Sequence, residues 1–380
     1  MCGINKRVIV LSVIFTALVS VVFGQLNFNY AYNYPEFNQS DANSLILEIE
    51  NHNFFKDNEY FGDYIEGYTL TGFDLKPSLM YYFGSNIRLQ AGVYLKKYHG
   101  IEKFNQAVPF VTAHAVLADS FQVIIGTLKG NVEHEMLEPI YDTELLYTDP
   151  MENGFQLLYS NRWFKGDMWL DWEHFIFRGD TVPEILTFGL NTHFNIMSIG
   201  NNSELRIPFQ IMIHHEGGQI SNFDEPMLTL NNGATGLTYI KKNNTSFIRQ
   251  LTVNGHFLWY YDMTKVWQNN FNSGWAVYPS VILASDKLQF MGGYFYGNNF
   301  AAPKGNYLFQ SVSNYKRSYY QKERQLITAK LTFQKSIVKN VIFAVSADGY
   351  YDLLVPRYDM AFGMSIFANP QFFLKNINTK

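Results

Sequence analysis

The chain has 380 residues, a formal net charge of −4 at pH 7, and 17% aromatic against 16% charged residues. The charged fraction lies below the ~25% usual for soluble domains, and the acidic balance offers no basic surface for nucleic acid. No apolar stretch after Gly24 approaches the roughly 20 residues of a transmembrane helix, so a membrane location requires strands that close on themselves and pair their backbone groups.

The first 24 residues have the pattern of a cleavable secretory signal. A basic pair is followed by an apolar run that ends at Phe23, and the small Gly24 suits the signal peptidase site. We therefore expect residues 1–24 to be removed and residues 25–380 to form one outer-membrane β-barrel. The only cysteine, Cys2, lies within the signal, so the mature chain is expected to have no disulfide and no thiolate site.

Several long segments alternate apolar and polar residues. From Ile87 to Lys96 every odd position is apolar and most even positions are polar, and the segments that begin at Leu205, Gln250 and Ile327 repeat this pattern. Period two places the two sets on opposite faces of a sheet. The predicted strands lie near residues 44–54, 67–83, 86–97, 106–117, 120–130, 154–163, 167–178, 184–196, 203–214, 234–242, 246–261, 273–284, 287–297, 325–335, 340–350 and 357–368.

The predicted connections alternate in length along the chain. Tight turns such as Gly84-Ser85 alternate with longer segments, of which 131–153, 215–233 and 298–324 are the longest. Short turns at one rim and long loops at the other are typical of single-chain outer-membrane barrels. The predicted fold class is therefore all-β: a single antiparallel transmembrane β-barrel of about 16 strands, with short periplasmic turns and long extracellular loops.

The secretory signal, the alternating strands and a last strand from Tyr358 to Phe367 together resemble the porin-like single-chain outer-membrane β-barrels of Gram-negative bacteria. The resemblance extends over the mature chain as a pattern, and it implies a cell-envelope protein of the outer membrane that serves transport. Members of that group usually end in an aromatic residue. Here a tail from Ala368 to Lys380 follows the last predicted strand.

The alternation also predicts which side chains line the lumen. If the odd positions of the third strand face lipid, its even positions point inward, and the same parity argument applies to other strands. The predicted lumen-lining residues are Arg88, Gln90, Lys96, Arg206, Gln210, His214, Asn254, His256 and Lys330. A polar interior in a barrel of this size favours a hydrated channel. The alternative is a lumen filled by inward-folded loops and large side chains.

The segment 131–153 is the most informative loop, because it is rich in acidic residues and contains no Lys or Arg. The resemblance implies that this third long loop folds into the barrel and narrows it. The predicted constriction-loop residues are Glu133, Glu135, Glu138, Asp142 and Glu144. Opposite Arg88 and Arg206, these carboxylates would set a transverse field across the pore. The alternative is a solvated surface loop.

Two other motifs were weighed for chemistry. In His214-His215-Glu216, adjacent side chains point to opposite faces of a strand, and two ligands are too few for a closed zinc site, so no metal site is predicted. Asp171 and Glu173 share one face and could act as paired carboxylates, although charged lining is the commoner role. The serine–histidine pair of outer-membrane hydrolases is not visible, since no G-x-S-x-G motif occurs and no serine stands out beside a histidine. The sequence therefore predicts no enzyme, no catalytic residue and no cofactor.

The predicted function is a porin-like outer-membrane channel for passive diffusion of small polar solutes. Its expected partners are outer-membrane lipid and those solutes, and no nucleic acid. The alternative is a surface-binding barrel that holds a glycan or another envelope protein through its long loops, such as the basic segment 298–324. The third hypothesis is an outer-membrane hydrolase that uses Asp171, Glu173 and His174.

Overall fold

The computed structural model describes residue 37 and residues 39–200, 202–243, 245–267, 269–316 and 318–377. The predicted signal, residues 1–24, and Cys2 lie outside the described residues, so removal of the signal stays a prediction. No helix among the described residues is long and apolar enough to span a membrane.

Antiparallel strands make up most of the described chain. The strand segments β1 to β17 are Ser44–Glu59, Thr69–Phe83, Ile87–Tyr98, Gln106–Ala118, Phe121–Thr127, Asn153–Ser160, Phe164–His174, Glu184–Ile199, Ser203–Gly217, Leu228–Lys242, Gln250–Asp262, Ser273–Ala284, Leu288–Asn298, Glu323–Val338, Val341–Asp352, Arg357–Ala368 and Gln371–Asn376. Each segment from β1 to β15 pairs with the next one, as in a continuous meander.

The barrel closes where the last strand meets the first. The segment β16 pairs with β1 from Asn51 to Glu59, and β17 pairs with β1 from Ser44 to Glu48. These two segments are therefore one wall strand interrupted at Asn369 and Pro370, and the 17 strand segments form a closed barrel of 16 wall strands. The all-β barrel and its strand number are confirmed, and the tail after the last predicted strand completes the wall.

The two rims of the barrel differ in the length of their connections. At one rim the strands are joined by short turns, such as residues 84–86, where Gly84 adopts a φ of +62° that favours glycine. At the other rim the connections are mostly longer, and the longest cover residues 128–152 and 299–322. We call these the short-turn rim and the long-loop rim.

Alternation sorts each strand into an inner and an outer face. On β3 the side chains of Arg88, Gln90 and Lys96 are buried inside the barrel, whereas Ile87 and Leu89 are exposed on the outside. An apolar outer surface and a polar inner one is the arrangement that a barrel in lipid requires. The exposed outer face carries large apolar side chains around the wall, including Phe257, Phe290, Ile327 and Phe362.

The main apolar core lies inside the barrel. Its largest cluster joins side chains of the wall to side chains of the two longest loops. The two loops contribute Leu128, Met136, Leu137, Ile140, Tyr141, Phe300, Ala301, Ala302, Leu308 and Phe309. The ring of Phe309 packs edge-on against Phe295 of the wall, with centroids 5.0 Å apart. Residues 128–152 and 299–322 therefore fill much of the lumen, and we call them together the plug.

Candidate functional site

The predicted lumen-lining side chains lie on the inner face of the wall. All except Arg206 are buried, and Arg206 lines the main internal cavity. Several of them contact the plug: Gln210 accepts a hydrogen bond from the Leu137 amide at 3.0 Å, and Lys330 forms an ion pair with Glu138 at 2.7 Å. Their role as the lining of an open pore stays a prediction.

The acids of the predicted constriction loop lie inside the barrel, and three of them pair with lysines of the wall. Lys330 pairs with Glu138, Lys165 pairs with Glu135 at 2.8 Å, and Lys56 pairs with Glu144 at 3.7 Å. Glu135 also lies 3.7 Å from the Nε2 of His193 on β8. Arg206, which was expected to face the loop acids, instead pairs with Glu204 of its own strand, and Arg88 lies 3.2 Å from the ring nitrogen of His114.

A buried histidine fixes the first plug loop to the wall. The two ring nitrogens of His134 lie 2.8 Å from Glu152 and 2.7 Å from Asp167, and the ring stacks on Trp169 at 3.5 Å. Burial alone would lower the pKa of His134, but the two carboxylates raise it to about 10. The charged imidazolium therefore persists at neutral pH and bridges the loop to β7.

Burial also changes the ionisation of the plug acids. It raises the pKa of Glu133 to about 8, so this carboxyl is protonated at neutral pH. Burial together with nearby Glu138 raises the pKa of Asp142 to about 6. For Glu138 burial is outweighed by Lys330, and the pKa is lowered. The plug thus holds both protonated and ionised carboxyls at neutral pH.

The side chains of the carboxylate pair Asp171 and Glu173 and of the motif His214-His215-Glu216 contact neighbouring groups. Asp171 accepts a hydrogen bond from the Asn153 amide, and Glu173 pairs with Lys304 of the plug. His214 lies 3.1 Å from Glu216, while His215 points to the other face and contacts Thr229. Among the described residues, no group of three His, Asp or Glu side chains is arranged to hold a metal ion.

Three neighbouring wall strands bring a serine, a histidine and an aspartate together. They are Ser365 on β16, His52 on β1 and Asp74 on β2. Ser365 Oγ is 3.0 Å from His52 Nε2, and His52 Nδ1 is 3.6 Å from Asp74 Oδ2. A hydroxyl, an imidazole and a carboxylate in this order are the arrangement of a nucleophile, its general base and the group that orients the base. The strand register produces it, because His52 is directly opposite Asp74 and Ser365 is opposite Phe54, two residues further along the same face.

The surroundings of this cluster hold it in place and cover it. The ring of His52 stacks on Phe367 with centroids 4.0 Å apart, and Asp74 accepts a hydrogen bond from Tyr94 at 2.8 Å. Tyr147 of the plug lies over the cluster, with its ring centroid 5.7 Å from that of His52. Ser365 is 4% exposed, so the cluster is assembled but closed.

A separate cavity of about 320 Å³ lies on the short-turn side of the plug. Its outer end includes Lys165, Lys242 and Gln250, which lie at strand ends next to short turns, and its inner end includes Glu138 and Lys330. The plug loop 128–152 closes the inner end. We call this cavity the vestibule.

Residues 37–377 match the sequence profile of the lipid A 3'-O-deacylase-type family. The chain belongs to this family. No curated protein matches the sequence. Because a deacylase-type family is an enzyme family, the prediction that the chain is not an enzyme is wrong.

The deacylase-type chain is also similar to solved outer-membrane proteins. It aligns with OprD from Pseudomonas aeruginosa at a TM-score of 0.52 and 11% identity, over 90% of this chain and 98% of that chain. It aligns with OccAB1 from Acinetobacter baumannii at a TM-score of 0.51 and 10% identity, over 89% and 100% of the two chains. At this identity the likeness shows the fold, and the predicted resemblance to porin-like barrels and the outer-membrane location are confirmed.

The contact between Ser365 and His52 was not predicted from the sequence, because the two residues are 313 residues apart. No local motif marks either residue. Closure of the barrel could have indicated this contact, because the first and last strands of a barrel must pair. Both residues lie on the inner face near the middle of those strands. Where β1 pairs with β16, which we call the seam, the inward-facing polar residues include both His52 and Ser365.

Proposed function

We propose that this protein is an outer-membrane ester hydrolase that removes an ester-linked acyl chain from a lipid A-type glycolipid. The observation that supports the proposal is the 3.0 Å contact between Ser365 Oγ and His52 Nε2, with Asp74 behind the ring, in a chain of the lipid A 3'-O-deacylase-type family. The name of that family supplies the substrate class.

The proposed reaction uses the three side chains in sequence. Ser365 Oγ attacks the ester carbonyl carbon while its proton passes to His52 Nε2. The sugar oxygen then leaves with that proton, and the acyl group stays on Ser365. A water molecule, deprotonated by His52, then attacks the acyl-enzyme. The acyl–Oγ bond breaks, the fatty acid is released, and Ser365 Oγ takes back the proton from His52 Nε2. Asp74 orients the ring and stabilises the imidazolium that forms in each half.

Substrate access requires movement of the plug. Tyr147 belongs to the helical turn Leu145–Thr148, and its ring lies 5.7 Å from the ring of His52. The ester therefore reaches Ser365 only when this turn moves away from β1 and β16. Covering of a reactive serine until the substrate arrives also limits side reactions with water.

The direct test is lipid A treated with the purified chain in detergent micelles, followed by mass spectrometry of the lipid. We expect loss of one ester-linked acyl chain with the wild-type protein and no product with Ser365→Ala. Ser78→Ala is the matched control, because Ser78 is also a buried inward-facing serine on a neighbouring wall strand. Equal product from Ser365→Ala and wild type would refute the assignment of the nucleophile.

A second candidate function is the predicted channel for small polar solutes. It is favoured by the polar vestibule, which extends from the short-turn rim to the plug, and by the attachment of the plug through separate side-chain pairs. In this proposal Glu133, Glu135, Glu138, Asp142 and Glu144 form the constriction. Replacement of residues 132–148 by a short Gly-Ser linker should raise ion conductance in planar bilayers severalfold. Unchanged, negligible conductance would rule out a channel along this path.

A further inference from the structure

The vestibule combines hydrogen-bonding groups with an apolar floor. Three neighbouring strands present Thr238, Asn254 and Ser280 in one row, because Thr238 and Ser280 are the direct cross-strand partners of Asn254. Neighbouring strands are about 4.8 Å apart, so such a row is roughly 10 Å long. All three residues line the cavity, and the apolar side chains of Met136 and Leu137 lie on its plug side.

Most of the ionic groups at the vestibule are paired with a group of opposite charge. Lys330 pairs with Glu138 at 2.7 Å and Lys165 with Glu135 at 2.8 Å. Lys242 pairs with Glu204 at 3.0 Å, and the Arg206 Nε donates to the same carboxylate at 3.1 Å. A charged ligand would have to displace one of these pairs, whereas a neutral ligand would not. The cavity therefore favours an uncharged molecule.

Two deeply buried atoms of the vestibule wall have no hydrogen-bond partner among the described residues. They are the Oδ1 of Asn254 and the Nδ1 of His256, and both side chains are more than nine-tenths buried. Both residues are inward-facing on β11 and line the cavity. Buried polar atoms are nearly always satisfied in proteins, and a hydroxyl-bearing ligand in the cavity would satisfy these two.

We infer that the vestibule is a binding site for a neutral, hydroxyl-rich molecule the size of a mono- or disaccharide. The 320 Å³ cavity lies near the lower end of the ~300–1,000 Å³ range of small-molecule sites. The amide and hydroxyl row bonds the hydroxyl groups, and the apolar floor receives the less polar face of the ring. The inference goes beyond ester hydrolysis and requires no passage through the barrel.

The test is titration of the purified full chain in detergent micelles with glucose, N-acetylglucosamine and maltose, with glucuronate and glucosamine as charged probes. We expect saturable calorimetric binding of at least one neutral sugar and weaker binding of the charged ones. Asn254→Leu should reduce the affinity about tenfold or more. The matched control is Asn195→Leu, because Asn195 also has an unpartnered Oδ1 but lies outside the cavity.

A second measurement does not depend on a folded variant. Methyl NMR of the wild-type protein should show shifts of Met136 and Met291, which line the vestibule, upon addition of the sugar, while Met364 on the outer face stays unchanged. The inference is overturned if no neutral sugar binds, if charged probes bind as well, or if the two Asn variants behave alike. In Ser365→Ala, sugar binding should persist while deacylation is lost, so the two proposals fail separately.

Discussion

Two parts of the inner wall differ sharply although the same alternation of residues produces both. At the seam of β16, β1 and β2, the side chains of Ser365, His52 and Asp74 contact one another beneath Tyr147. On β10 to β12, Thr238 and Asn254 face an open cavity. Strand parity decides that a side chain points inward. The position of the plug determines whether the inward-facing side chains are covered and contact one another, as at Ser365, or face an open cavity, as at Asn254.

The largest expected effect separates these two parts by chemistry. His52→Gln removes the proposed general base but keeps a polar side chain of similar length, so deacylation should fall on the order of 10⁴-fold or more. Sugar binding in the vestibule should not change. The measurement is the initial rate of fatty-acid release alongside a sugar titration. Full activity of His52→Gln would contradict the role of the base.

A smaller effect is expected at the carboxylate of the same cluster. Asp74→Asn should reduce deacylation by roughly 10²-fold, less than His52→Gln, because its 3.6 Å distance from the His52 ring nitrogen is longer than a normal hydrogen bond. Asp74 also contacts Lys96 at 3.2 Å. Activity measured together with the folded fraction of the protein distinguishes a role of Asp74 in catalysis from a role in folding. Loss of folding without loss of specific activity in the folded fraction would make Asp74 structural.

The plug can be loosened without changing either part of the wall. His134→Gln leaves Glu152 and Asp167 buried without their cation, which costs about 3 kcal/mol, equivalent to roughly a hundredfold. A reporter cysteine at the fully buried Ile140, with Cys2 replaced by serine, should then react about that much faster with iodoacetamide. Equal labelling rates with and without the His134 change would show that the histidine does not hold the loop.

The same reporter gives a pH dependence. The pKa of His134 is raised from 6.5 to about 10, so its contribution to plug docking is fully present below pH 6.5 and is lost as the pH rises through about 10. Labelling of the reporter, corrected for thiolate content with the unfolded chain, should therefore increase between pH 8 and pH 11. In His134→Gln this increase should be absent.

The sequence predicted the wall better than the contacts across the lumen. The inward direction of Arg88, Gln90 and Lys96 depends only on alternation within one strand, and the structure agrees with it. The partners of the loop acids depend on how a loop folds. Lysines of three strands, β1, β7 and β14, pair with loop acids, whereas Arg206 pairs with Glu204 of its own strand. Closure of the barrel brings Ser365 next to His52, and no local sequence pattern indicates this contact.

The contacts of the second plug loop, residues 299–322, were also not predicted from the sequence. The basic segment 298–324 suggested a surface that binds glycans, but Lys304 pairs with Glu173, and Arg324 pairs with Asp352 in the buried interior. Phe300 and Phe309 are fully buried, and their burial supplies an apolar reason for the loop to fold inward. Composition showed the charges, whereas the direction of the loop depends on the space available inside the barrel. Surface binding of a glycan or an envelope protein stays a prediction.

The central claim is that Ser365 is a nucleophile activated by His52. It is tested most directly by treating the folded protein with a fluorophosphonate and mapping the modified residue by peptide mass spectrometry. We expect a single phosphonylated serine, Ser365, in the wild-type protein, and much slower modification in His52→Gln. Modification of a different serine, or modification of Ser365 at the same rate in both proteins, would contradict it.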